Sequence, residues 1–276
     1  MQVFCLANFK GGTGKTATAC NLAALLAREG RRVLLIDADA QHNASDFFCE
    51  DWDGATLTDV LEGTAEPFWP ENVAESGYDN LSVLCADMGL LRLDLASILT
   101  GSNAAQKRFD DLIDTLRQDD AFDYVLVDCP PSFTAASVAA LVNADAVILP
   151  TRADAFSRRG ALELIEQLRG VARASYQSTH FRLLLTMADR SNLAKQAEAL
   201  LRDSAGLEVC RTVIRSGVAV GESSYARQPL YQYAPRAGVA RDYEALLREV
   251  LEWDESPSRC AAAPFRQGGQ DGRGEV

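Results

Sequence analysis

A glycine-rich segment near the start of the chain has the residue types that bind phosphate. Residues 9–16 read Phe-Lys-Gly-Gly-Thr-Gly-Lys-Thr, between an apolar run and an Ala/Leu-rich run with helical spacing. The glycines permit a tight turn with inward-pointing backbone N–H groups, and the start of the following helix adds partial positive charge. Lys15 can reach terminal phosphates, and the Thr16 hydroxyl can ligate Mg²⁺. An ordinary glycine-rich turn with an incidental lysine is the alternative interpretation.

The segment departs from the usual phosphate-loop spacing. The pattern G-x-x-x-x-G-K-[ST] would place a glycine at Phe9, and the chain has a second lysine, Lys10, five residues before Lys15. This form, K-G-G-x-G-K-T, resembles the deviant phosphate loop of the ParA/MinD superfamily. The resemblance implies an ATP site made by Lys10, Gly11, Gly12, Thr13, Gly14, Lys15, Thr16 and Ala17. It also implies that Lys10 reaches the nucleotide of a partner subunit, so that ATP drives formation of a homodimer.

Two acidic residues follow the second apolar run, residues 33–36. Asp37 and Asp39 would lie at the carboxyl end of a parallel strand, where open α/β sheets bind their ligands. With Gln41 and Asn43 they resemble the superfamily's second motif, D-x-D-x-Q followed by Asn. The resemblance implies that Asp39 positions the attacking water and that Asp37 supports the metal shell. A polar loop without a chemical role is the alternative.

A third acidic residue, Asp128, ends the apolar run 122–128. The residues after it, Cys-Pro-Pro-Ser, complete a D-x-P-P-S sequence that resembles another motif of the superfamily. The resemblance implies that Asp128 accepts hydrogen bonds from waters bound to Mg²⁺, while Thr16 ligates the ion. The carboxylate can also cap the helix expected to start near Ser132, and one loop can serve both purposes.

Two later segments resemble parts of the superfamily's nucleotide site. Residues 186–189 are similar to the family's T-M-x-D sequence, which implies that Met187 lies near the nucleotide. Residues 229–236 resemble the segment that approaches the adenine in relatives. By that resemblance, Pro235 and Arg236 contact the base.

The elements that would position these residues alternate between strands and helices. Apolar runs predict strands at residues 3–7, 33–36, 81–85, 122–128, 144–150, 182–187 and 209–214. Helical spacing predicts helices at residues 17–27, 89–99, 105–116, 158–173, 193–201 and 239–253. This order predicts an α/β fold with a single doubly wound, mostly parallel sheet and helices on both faces, the P-loop NTPase fold. We expect one ATPase domain at residues 1–253 and a disordered tail at residues 254–276. Residues 44–80 show little regular pattern.

Composition narrows the class of protein. The chain has 276 residues, 47% hydrophobic residues and a net charge of −12, values typical of a soluble globular protein. It contains no apolar run of about 18 residues, and its first residues lack the basic start of an export signal. Its seven cysteines lack C-x-x-C spacing, which favours free thiols. We therefore expect a cytoplasmic protein, associated with the nucleoid if it binds DNA.

Positive charge is concentrated in the later part of the chain. Residues 1–149 contain 9 Lys/Arg against 23 Asp/Glu, a net −14, whereas residues 150–250 contain 15 against 11, a net +4. The asymmetry fits either an ordinary solvated surface or a basic face that binds DNA without sequence preference. ParA relatives often carry a basic residue in the stretch that matches residues 217–224, where this chain has Ala219. The candidate DNA contacts that flank it are Arg211, Arg215 and Arg227.

The resemblance covers residues 2–253 and favours one function over three others. It implies a ParA-type ATPase that segregates plasmid, chromosomal or mobile-element DNA with a ParB-type centromere-binding partner. A closely related ATPase that positions a protein cargo is the first alternative. A MinD-type membrane ATPase is disfavoured, because residues 256–276 lack a basic amphipathic helix. A metabolic enzyme on the same scaffold, such as a nitrogenase reductase or a ligase-like synthetase, is the third, although no second cluster cysteine matches Cys129.

Overall fold

The structure, a computed structural model, describes residues 1–65, 72–152, 158–172, 179–189, 191–204 and 206–255. The predicted tail lies outside the described residues from residue 256 onward. No helix of the described part is long and apolar enough to cross a membrane.

Eight strands of the described part of the chain form one sheet. They are β1 (Gln2–Leu6), β2 (Val33–Asp37), β3 (Ala74–Glu75), β4 (Leu81–Leu84), β5 (Tyr124–Asp128), β6 (Ala146–Arg152), β7 (His180–Ala188) and β8 (Glu208–Arg215). Their order across the sheet is β3-β4-β2-β5-β1-β6-β7-β8. All neighbours pair in parallel except β3 and β4. The carboxyl ends of β1, β2 and β5 therefore meet at one edge, as the predicted mostly parallel sheet requires.

Eleven helices connect and cover the described strands. They are α1 (Lys15–Arg28), α2 (Asn43–Phe48), α3 (Leu57–Glu62), α4 (Gly89–Thr100), α5 (Ala104–Gln118), α6 (Ala135–Asn143), α7 (Arg158–Ala172), α8 (Asn192–Arg202), α9 (Val218–Tyr225), α10 (Leu230–Tyr233) and α11 (Gly238–Glu255).

Alternate strand residues enter two separate cores, one on each face of the sheet. Val3 and Cys5 pack with side chains from α3 to α8, whereas Phe4 and Leu6 pack with side chains from α1, α2 and α11. This division follows from the two-residue period of a strand. Because both faces are covered, the central strands are apolar on both sides, which is why their sequences read as continuous apolar runs. The predicted doubly wound α/β fold is confirmed.

Residues 44–80, which show little regular pattern in the sequence, contain three short elements. Residues 43–48 form α2, residues 57–62 form α3, and Ala74 and Glu75 form the antiparallel edge strand β3. Elements as short as α2 and β3 carry no periodic sequence signal. Tertiary contacts hold α2 in place, because its Ser45 bonds to Asp37 on β2 and to Ala86 after β4.

The last helix, α11, lies along the edge strand β8. Its Glu249 carboxylate accepts hydrogen bonds of 2.8 Å from the backbone N–H groups of both Arg211 and Thr212. Its Asp242 accepts one of 3.0 Å from the backbone N–H of Arg215. Carboxylates of the helix thus take the donors that an edge strand would otherwise present to solvent.

Candidate nucleotide site

The predicted phosphate loop joins β1 to α1. Gly12 and Gly14 adopt the left-handed conformation, with φ of 68° and 87°. A side chain at either position would be strained, which accounts for glycine at both. The first helical hydrogen bond runs from the Thr18 N–H to the Gly14 carbonyl, at 2.9 Å. The N–H groups of the residues between them are thus left at the start of α1, where a bound anion is stabilised.

Two buried polar side chains fix the loop to neighbouring strands. Asn8 donates through Nδ2 to the Pro150 carbonyl at 2.8 Å and accepts from the Lys10 N–H at 3.0 Å. Thr186 donates through its hydroxyl to the Thr13 carbonyl at 2.8 Å. The loop is therefore held to the ends of β6 and β7 as well as to β1. The motif at residues 186–189 includes Thr186 but did not indicate this contact, and sequence analysis did not single out Asn8.

Lys15 is a buried cation at the start of α1. Only 8% of the residue is exposed. Burial lowers the pKa of its ammonium group, and the nearby carboxylates of Asp128 and Asp39 oppose that shift. A lysine held in this way needs anions around it. Its position beside the loop fits the predicted role over the terminal phosphates of a nucleotide.

Asp128 lies at the end of β5, directly opposite Asp37 at the end of β2. Burial raises the pKa of its carboxyl well above the ordinary value, and the charge of Asp37 adds to the shift. The Thr16 hydroxyl, which donates to Asp128, and the Lys15 ammonium group oppose it. Its Oδ1 is buried and has no hydrogen-bond partner among the described residues.

These groups fit Mg²⁺. The ion prefers oxygen ligands and is usually held by one or two carboxylates together with substrate phosphates. Asp128 provides an unpaired buried oxygen next to the Thr16 hydroxyl. No cluster of three or more His, Cys, Asp or Glu side chains among the described residues forms a metal site of its own. With Asp128 and Thr16 as protein ligands, a magnesium ion would take its remaining oxygen ligands from phosphates and water.

Asp37 is fully buried and its two oxygens are already occupied. Oδ1 accepts from the Asp39 N–H at 3.1 Å, and Oδ2 accepts from the N–H and the hydroxyl of Ser45, both at 2.8 Å. Burial raises the pKa of Asp37 to about 6, and the hydrogen bonds from Ser45 and Asp39 oppose the shift. The contacts show Asp37 positioning the loop and α2. Its predicted place in the metal shell stays a prediction.

Asp39 is partly exposed in the loop after β2. Its Oδ1 accepts from the Gln41 N–H at 3.0 Å, which folds the loop back on itself. The next residues lead into α2 through His42, whose Nδ1 lies 3.0 Å from Asp46 Oδ1. The Asp39 carboxylate thus lies partly exposed at the rim of the site. Its predicted role in positioning water stays a prediction.

A cavity of about 430 Å³ opens beside the phosphate loop, a size suited to a small-molecule ligand. Its described lining residues are Gly12, Thr13, Gly14, Lys15, Thr16, Ala17, Cys20, Asn43, Asp46, Phe47, Met187, Ser224 and Arg227. The predicted neighbour Met187 is among them. Pro235 and Arg236 are exposed and are not among these lining residues, so their contact with a base stays a prediction.

Comparison with known proteins identifies the family. A family model described as an AAA domain matches residues 1–181. The chromosome partitioning protein ParA of Caulobacter vibrioides is 34% identical over 268 residues, which cover 95% of this chain and 98% of that protein. The chain belongs to the ParA/MinD superfamily. The chromosome-partitioning ATPase Soj of Thermus thermophilus is 35% identical over 252 residues, or 89% of this chain and 94% of that protein.

A solved structure shows the same fold. Apo McdA of Cyanothece superposes with a TM-score of 0.78 at 21% identity, over 91% of this chain and 99% of that one. This ParA/MinD-superfamily chain therefore has the P-loop NTPase fold, as the sequence predicted.

The candidate DNA contacts of this superfamily member lie in three different surroundings. Arg211 forms an ion pair with Glu252 of α11, and Arg215 donates to both oxygens of Asp242, each at 2.7 Å. Arg227 lies on the wall of the cavity. Ala219, at the position where relatives often have a basic residue, is part of α9. The structure does not bring the three arginines together as one cluster around a shared ligand.

The contacts of Ser45 lead to a prediction for Ser45→Ala. The change removes the hydroxyl that donates to Asp37 and accepts from the Ala86 N–H at 2.9 Å. Because it leaves a buried N–H unpaired, we expect a loss of about 1–3 kcal/mol in the free energy of unfolding. Urea denaturation measures it. The exposed Ser216→Ala is the matched control, and equal stability of the two variants would contradict the role of Ser45.

Proposed function

We propose that this protein is an ATP-dependent dimerising switch that partitions plasmid, chromosomal or mobile-element DNA. It would bind DNA without sequence preference, and a ParB-type centromere-binding or adaptor protein would stimulate its slow ATP hydrolysis. The observation that carries the proposal is the meeting of the phosphate loop, Lys15, Thr16 and the unpaired Oδ1 of Asp128 at one edge of the sheet. The proposed role in partitioning is supported by the similarity to the chromosome-partitioning proteins ParA and Soj.

The residues at this edge account for phosphoryl transfer to water. The loop N–H groups and Lys15 stabilise negative charge on the transferred phosphoryl group. Thr16 and Asp128 would hold Mg²⁺, which when bound neutralises charge on the phosphate oxygens. Asp39 orients the attacking water from the rim, while Asp37 fixes the loop that carries it. In this proposal the loop N–H groups, Lys15 and Asp39 act on phosphate and water, whereas Asp37 has a positioning role.

The surface around Lys10 supports dimerisation through the phosphate-loop face. Lys10 is exposed on the loop, where it would reach the partner's nucleotide and act as an arginine finger does elsewhere. Beside it, Phe9 contacts Phe133 with ring centroids 4.2 Å apart, and Phe133 remains 47% exposed. Phe133 adjoins Ile98 of α4, which is 79% exposed. Exposed apolar side chains that continue a functional face suit a protein interface.

Lys15→Ala tests the nucleotide site. Removing the buried cation beside the loop should abolish detectable Mg·ATP binding in isothermal titration calorimetry, because the charge at the start of α1 that stabilises the terminal phosphates is lost. Lys107→Ala, which removes an exposed lysine of α5, is the control and should bind as the wild type does. Unchanged ATP affinity of Lys15→Ala would show that the phosphate-loop assignment is wrong.

Lys10→Ala tests the contribution of the partner subunit. We expect the variant to retain most ATP binding as a monomer and to lose ATP-driven dimerisation or hydrolysis, because the lysine acts across the interface. Light scattering with size-exclusion chromatography, in ATP and in ADP, measures the dimer. Lys195→Ala, at an exposed position on α8, serves as the control. Equal dimerisation and turnover of Lys10→Ala and wild type would exclude this role.

DNA binding by the dimer should depend steeply on salt. Two copies of the +4 region at residues 150–250 would place basic surfaces side by side. Each neutralised phosphate adds about 0.9 to the slope of log affinity against log salt. We expect sequence-independent binding in ATP and weaker binding in ADP.

A DNA titration at several salt concentrations measures both effects. Arg211→Ala and Arg215→Ala should weaken binding to all sequences alike and flatten the slope. Arg92→Ala, in the acidic part of the chain, is the control. Wild-type protein that ignores DNA at low salt in ATP would contradict DNA partition and favour a protein cargo.

A further inference from the structure

Arg227 shares a cavity with the phosphate loop. It follows α9, far from the loop in sequence, yet both line the same space of about 430 Å³. Among the described lining residues, the cationic side chains are Lys15 and Arg227. Lys15 is buried at the start of α1, with the carboxylates of Asp128 and Asp39 near it. Arg227 is a second cation on the wall of this cavity, and it also lines a neighbouring cavity together with Glu50.

The backbone at Arg227 favours glycine. Its φ is 53°, in the left-handed region that side chains beyond Cβ rarely adopt. Five described non-glycine residues have positive φ. Two of them, Met187 and Arg227, line the cavity, and a third, His42, directly precedes α2, which forms part of the cavity wall. The turn that ends α9 requires this conformation, because the Arg227 N–H donates to the Ser224 carbonyl at 3.2 Å and the Gln228 N–H donates to the Ser223 carbonyl at 3.1 Å. Glycine is the usual residue at such a helix end, so an arginine here carries a backbone cost that glycine would avoid.

In the structure this guanidinium forms an ion pair with Glu50, just beyond α2. The side chains of Arg227 and Glu50 are 38% and 63% exposed, so water screens the pair and it is weak. The cavity wall nearby adds the Asp46 carboxylate. A nucleotide brings several negative charges into this acidic surrounding, and phosphate oxygens are strong acceptors for arginine.

We propose that Arg227 is a further nucleotide-binding residue, which leaves Glu50 and donates hydrogen bonds to the phosphates of the nucleotide held on the loop. Glu50 and the nucleotide then compete for one guanidinium group. Nucleotide binding therefore also releases the tie between the segment after α9 and the end of α2. The inference rests on the proposed function, because it requires a nucleotide in the cavity.

The competition predicts opposite effects for the two partners of the ion pair. Arg227→Gly should weaken ATP binding about tenfold, the lower range for a hydrogen bond to a charged group. Glu50→Gln should strengthen it about twofold to fivefold, since it removes a weak competitor. The double variant should bind as Arg227→Gly does, because Glu50 acts only through Arg227. Arg227→Lys should recover part of the affinity through its charge.

Isothermal titration calorimetry with Mg·ATP measures the affinities, and thermal unfolding shows that the variants are folded. Arg227→Gly should unfold at or above the wild-type temperature, because glycine suits the left-handed backbone. The matched controls break another exposed Arg–Glu pair, Arg92 with Glu62, whose atoms lie 3.0 Å apart. Arg92→Ala and Glu62→Gln should leave ATP affinity unchanged.

Two results would overturn the inference. The first is a folded Arg227→Gly variant that binds ATP with wild-type affinity while Lys15→Ala has lost ATP binding. This result would show that the nucleotide site exists and that Arg227 is not part of it. The other is an additive double variant, which shows that Glu50 does not act through Arg227. Failure of the proposed function is distinct, because in that case the wild-type protein itself does not bind ATP.

Discussion

Two carboxylates buried side by side are the constraint on which the rest of this structure depends. Asp37 and Asp128 end adjacent strands in register, and both are almost completely removed from water. Isolated charges in such surroundings cost several kcal/mol each unless they are paired or hydrogen-bonded. Three donated hydrogen bonds satisfy Asp37, and the Lys15 ammonium group and the Thr16 hydroxyl face Asp128. The loop and α1 are placed where they offset this cost.

One oxygen of the two buried carboxylates, Oδ1 of Asp128, is left without a compensating hydrogen bond among the described residues. Native proteins rarely leave such an atom buried. A protein that completed this bond internally would be more stable and would have no place for a cation. A cation that bound Oδ1 together with a nucleotide would satisfy this atom. Such binding would raise the free energy of unfolding, because it occurs only in the folded state.

The sequence predicted the long elements and the loop because each had a local signal. Continuous apolar runs located β1, β2 and β5, and the spacing of glycine and lysine located the phosphate loop. It did not predict the hydrogen bonds of Asn8, Ser45 and Thr186, since these bonds reach partners up to 173 residues away. It named Arg227 as a candidate DNA contact from its place beside a family motif, and that assignment stays a prediction. The place of Arg227 on the cavity wall depends on tertiary packing, which no sequence pattern indicated. Functional residues that form a local sequence pattern could be predicted, whereas residues that meet only through tertiary packing could not.

The carboxylates of α11 have an effect on how this protein can associate. A strand at the end of a sheet normally offers its free N–H groups to any other strand, which is the usual start of fibrous aggregation. Along β8, the N–H groups of Arg211, Thr212 and Arg215 are already held by Glu249 and Asp242. A foreign strand would have to displace a whole helix to pair there. Pairing of a second chain along this border would therefore first require α11 to release these N–H groups.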